Sequence, residues 1–122
     1  MYPSGLWRGF WDQPGFGRQP MQELVLQFEA GKVRGQGRDI VGLFTFRGAH
    51  DGSGRVMLVK QYVGRHQVEY HGQYDGEGTI FGRWQIGLDS GTFALTPERT
   101  AAATDAPIAT ISVDPLGRSE AT

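Results

Sequence analysis

Between residues 60 and 74 the chain spaces out side chains able to hold a ligand: Lys60, Tyr62, His66, Tyr70 and Tyr74. All five fall on even positions, so in an extended backbone they share one face. A lysine ammonium can hold an anion, an imidazole can donate or accept near neutral pH, and a phenol carries a polar tip on an apolar ring. Trp7, Trp11 and Gln13 share a face in the first segment, and Trp84 alternates in the same way further on. Apolar rings with a few convergent polar groups make a binding site for a small apolar or aromatic molecule. The expected site is therefore Trp7, Trp11, Lys60, Tyr62, His66, Tyr70 and Trp84. Lys60 has two readings. It either reaches the rim or pairs with Asp39, the more ordinary arrangement, or it sits desolvated against an anionic guest.

Catalysis has little to work with. His50 falls in a loop, and His66 and His71 fall on opposite faces of one strand, so those two cannot hold one metal together. No serine or threonine sits in a nucleophile elbow. Gly35-Gln36-Gly37 is a fragment of a phosphate-binding pattern with no helix after it. Without cysteine there are no disulfides and no thiolate ligands. No cofactor and no metal are expected.

The elements that must position these residues are strands. Eight short runs between Leu6 and Leu95 alternate apolar and polar residues, and glycine-rich turns separate them. Short connections make sequential antiparallel neighbours, and eight strands are enough to close. The expected fold is all-β, a single up-and-down meander barrel over residues 1–96. Residues 97–122, rich in Ala, Thr, Asp, Ser and Pro, read as a flexible or loosely attached tail, with an extra strand over 108–113 left open.

The inward face should then carry Trp7, Trp11, Leu24, Leu26, Phe28, Val33, Ile40, Phe44, Phe46, Val56, Leu58, Tyr62, Val68, Tyr70, Ile80, Trp84, Ile86, Phe93 and Leu95. Glycines 9, 35, 37, 42, 72 and 82 share that face. Large-against-small packing explains them in a filled barrel; the alternative is room for a guest between the tryptophans. Outward, Val41, Leu43, Met57 and Val59 are more apolar than a solvated wall requires. They predict a contact surface for a second copy or another protein, which is the alternative function should the interior be full.

Net charge is −1. Arg99 and Arg118 against Glu98, Asp105, Asp114 and Glu120 leave 97–122 at −2, so residues 1–96 carry +1. Neither value suggests nucleic acid or a membrane as partner. The first residues lack a basic stretch followed by an apolar one, which with the absence of cysteine leads to the expectation of a cytoplasmic protein.

Gly5-Leu6-Trp7, opening the first strand of an eight-stranded meander, resembles the calycin barrels, which include the avidin-like and lipocalin families. The resemblance covers residues 5–96 as architecture. It implies a small ligand inside the barrel and, as in avidin-like proteins, association through barrel walls. The residues that grip biotin in avidins have no counterparts here, and the turns are shorter than those around a lipocalin mouth. Tyr70-His71-Gly72-Gln73-Tyr74-Asp75-Gly76-Glu77-Gly78 is similar to one MORN unit. Such units are stable in tandem, and one copy is present.

Overall fold

A computed structural model describes residues 2–98. Within them run β1 (Gly5–Gln13), β2 (Gly17–Glu29), β3 (Lys32–Arg38), β4 (Leu43–His50), β5 (Arg55–Tyr62), β6 (Gln67–Tyr74), β7 (Ile80–Ile86) and β8 (Asp89–Pro97). Each strand pairs antiparallel with the next. β8 returns to β1, from Trp7 opposite Pro97 to Trp11 opposite Phe93, and closes the barrel. Closure leaves no strand edge unpaired. The expected tail and the open question over 108–113 fall on residues 99–122, outside the described residues.

Local chemistry sets the turns. Ala30 and Gly31 both take positive φ, 52° and 80°. This is the primed hairpin geometry, whose twist matches the flanking strands. Only Gly87 and Leu88 separate β7 from β8. The chain is therefore strand again from Asp89, and β8 runs on to Pro97.

The inward face is as alternation predicts on most strands. Two departures have backbone causes. Ile40 is exposed rather than inward, because 39–42 is a loop: the Asp39 amide donates to the Gly42 carbonyl, and β4 starts at Leu43. The loop turns Val41 against the core instead, and Gly42 faces open space. Met21 is buried although Leu24 and Leu26 are too. A bulge at Glu23, with φ of 54°, shifts the register on both sides of β2 and lets odd Met21 and even Leu24 point the same way.

The interior is packed large against small. A side chain at Gly9 would meet Leu95, Met21 and Leu24; one at Gly72 would meet Phe93 and Ile80. Hence these glycines make space for neighbouring core residues. One barrel end is stopped by Tyr2, which stacks on Phe28 at 4.9 Å and meets His50 and Tyr74 edge-on. At the other end are the β1–β2, β3–β4, β5–β6 and β7–β8 turns.

Candidate functional site

The open end is organised around one carboxylate. The β3–β4 loop carries Asp39 over the barrel mouth, and β5 alternation points Lys60 inward to meet it. Lys60 Nζ donates to Asp39 Oδ2 at 2.6 Å, and neither side chain exceeds 1% exposure. The same oxygen accepts from Tyr62 OH at 2.7 Å and Trp11 Nε1 at 3.1 Å. Oδ1 accepts from the Val41 amide at 2.9 Å, which holds the loop in place. Lys60 also donates to Tyr70 OH at 3.2 Å, and its ammonium lies 4.2 Å from the Phe44 ring centroid and 4.8 Å from that of Tyr62. Carboxylate and ring faces together offset the cost of removing the ammonium from water. Of the readings for Lys60, the structure has the pairing with Asp39, fully buried and away from the rim.

Burial pushes the Asp39 carboxyl up, but the Lys60 charge and the bonds from Lys60, Tyr62 and Val41 outweigh it and hold it below the ordinary 3.8. For Lys60 burial wins over Asp39 and lowers the ammonium to about 8, still protonated at neutral pH. Burial first, and then the Asp39 carboxylate, raise Tyr62 and Tyr70, so both phenols stay protonated.

These directions set a pH dependence. As pH falls below 3.8 the unfolded chain takes up a proton before Asp39 does, and stability is lost. Between about 8 and 10.5 the folded Lys60 has shed a proton that the unfolded chain keeps, so its contribution rises with pH. Asp12, lowered by Arg18, and Asp51, lowered by Ser53, share the acid limb. Urea midpoints of the wild type and of Asp39→Asn/Lys60→Met, measured across pH, isolate the pair. The two curves should converge in acid; parallel curves would rule out titration of Asp39 as the cause.

The network floors a pocket of about 230 Å³ lined by Trp11, Gln13, Val41, Tyr62, His66, Val68, Tyr70, Trp84, Ile86 and Asp89. Trp84 Nε1 donates to the Asp12 carbonyl at 2.9 Å, and its ring meets Trp11 edge-on at 5.9 Å. The indole polar atoms are thus satisfied within the protein, and the rings are left as walls. His66 is exposed in the β5–β6 turn, with its ring tilted on Tyr62 at 5.1 Å.

Five of the seven expected residues, Trp11, Tyr62, His66, Tyr70 and Trp84, line this pocket, and Lys60 lies beneath it. Trp7 does not belong to it. It sits at the stopped end beside Phe28, with Nε1 donating to the Pro3 carbonyl. Sequence reasoning missed Val41, Val68, Ile86 and Asp89 as lining residues, and Asp39 as the centre of the network.

Of the four expected wall residues, Met57 and Val59 are successive outward positions on β5, and the other two lie apart from them. Val41 packs against the core. Leu43 is exposed at the mouth, opposite Arg38, while Met57 lies further down the wall between Ala49 and His71. Half-buried Val59 separates them, flanked by Arg47 and Glu69. No protein-family model and no curated protein matches the chain, so its function is read from the site itself.

Proposed function

We propose that the protein binds a small apolar or aromatic molecule at the open end of its barrel, between Trp11, Tyr62 and Trp84. The observation that carries this reading is a pocket walled by rings, whose floor is polar but already neutral. Asp39 cancels the Lys60 charge, so an anion gains nothing there. A guest hydroxyl or carbonyl would meet Tyr70, His66 or Gln13. At about 230 Å³ the space falls below the roughly 300–1,000 Å³ of drug-sized sites, which favours one or two rings over a long lipid. The eight-stranded meander supports grouping the protein by architecture with the calycin-type ligand carriers.

The three indole N–H groups have different partners, so each reports its own surroundings in a heteronuclear NMR spectrum. On titration with cresol, naphthol or cyclohexanol, the Trp11 and Trp84 signals should shift saturably while that of Trp7 stays. Trp84→Leu should weaken binding about tenfold, the loss of one good ring contact. If no compound moves any indole signal, or all three move together, the reading fails.

A further inference from the structure

Each of the four turns at the open end carries a large apolar side chain in water: Phe16, Ile40, Val63 and Leu88. Leu43, the first residue of β4, is a fifth. These five are 62% to 105% exposed, whereas Leu6, Met57 and Phe81 on the strands reach 54% or less. The opposite end has the turns Ala30-Gly31, Asp51-Gly52-Ser53-Gly54 and Asp75-Gly76-Glu77-Gly78, with no large apolar residue among them. Turn geometry favours Gly, Asn, Asp and Ser, so nothing local calls for Phe or Leu at these tips.

Charge divides along the same axis. Arg18, Arg38 and Arg65 each stand two residues from an apolar tip. Arg18 and Arg38 hold Asp12 and Glu23 in exposed pairs, which are weak and readily exchanged. Arg65 has no ion pair among the described residues. With Asp39 matched by Lys60, the three arginines are balanced at this end by Asp12, Glu23 and Asp89. At the stopped end Glu29, Asp51, Asp75, Glu77 and Glu98 outnumber Lys32 and Arg55.

We infer that the open end docks on an anionic lipid surface. The apolar tips enter the boundary between headgroups and acyl chains, and the arginines stay at the phosphates. Phe16, Ile40 and Leu88 sit on three different turns and Leu43 faces Val63 across the end of the β4–β5 ladder, so they form several points of insertion rather than the continuous apolar centre of a protein interface. Arg34, Arg47, Glu69 and Arg83 on the outer wall stop the barrel from going deeper. The docking does not depend on the proposed guest.

Flotation of the full chain with vesicles tests this. The protein should float with vesicles of phosphatidylcholine mixed with phosphatidylglycerol, and less with phosphatidylcholine alone. Phe16→Ser and Leu88→Ser should each lower partitioning roughly tenfold, and Arg65→Glu several-fold with the effect fading in high salt. Met57→Ser and Phe81→Ser, also exposed but on the wall, should change nothing. Circular dichroism confirms that each variant is folded. The inference is overturned by absence from both kinds of vesicle, or by equal losses from tip and wall variants. It also fails if the tips instead support a dimer in sedimentation that never binds vesicles, since the occupant is then a second copy.

Discussion

Asp39→Ala will destabilise the barrel by about 3–5 kcal/mol, as expected when one member of a buried ion pair is removed and the other keeps its charge. Lys60 has no route to water from where it lies: its side chain is 1% exposed and ringed by Phe44, Tyr62 and Trp11. Without the carboxylate, Tyr62 OH and Trp11 Nε1 lose their acceptor, and the Val41 amide loses the contact that fixes the loop. Asp39→Asn/Lys60→Met removes both charges but leaves an amide oxygen for Tyr62 and Trp11. It should cost far less than Asp39→Ala, because the buried charge rather than the missing contact dominates. Urea denaturation of Asp39→Asn, Lys60→Met and their double in one cycle gives the coupling directly. Additive losses would show that the two groups act independently.

That network was half legible in the chain. Lys60 alternates with Leu58 and Tyr62, so its inward direction followed from period two, and Asp39 was named as its partner. The threefold use of Asp39 Oδ2 was not legible, since it depends on how far the β3–β4 loop folds back over the mouth. The same loop reversed Ile40 and Val41. Continuous alternation from Ile40 to Arg47 looks like one strand, and only the bond from the Asp39 amide to the Gly42 carbonyl ends it. Glu23 likewise hid a bulge, because a glutamate at positive φ leaves no signature in composition. Trp7 and Trp11 were rightly given one face, but a face does not say which end of the barrel a residue serves. Four positions of strand, at about 3.3 Å each, carry Trp7 to the stopped end. The apolar turn tips and the arginines beside them are far apart in sequence and balanced in net charge. Their gathering at one end is a product of the meander, which returns every second turn to the same side.

Gly82→Ala should cost about 3 kcal/mol, the upper range for overpacking, because what stands in the way is backbone. Gly82 lies opposite Gly72, and a Cβ there would run into the His71 carbonyl oxygen and the Gly72 Cα. A crowded side chain can change rotamer; a carbonyl in the β6–β7 ladder moves only if the strands part. Gly48→Ala meets the same obstacle at the Met57 carbonyl oxygen between β4 and β5 and should cost as much. Gly52 has nothing within 4 Å, so Gly52→Ala should stay within about 0.5 kcal/mol of the wild type. Denaturant midpoints separate these outcomes, and a Gly82→Ala protein as stable as Gly52→Ala would show that the strands are free to part. The consequence for the site is direct. Gly82 stands two residues before Trp84, whose partner across the ladder is Tyr70. Prying β6 from β7 at Gly82 moves the wall of the pocket away from its floor. Gly82→Ala should therefore weaken guest binding even at temperatures where it remains folded, although it touches no lining residue.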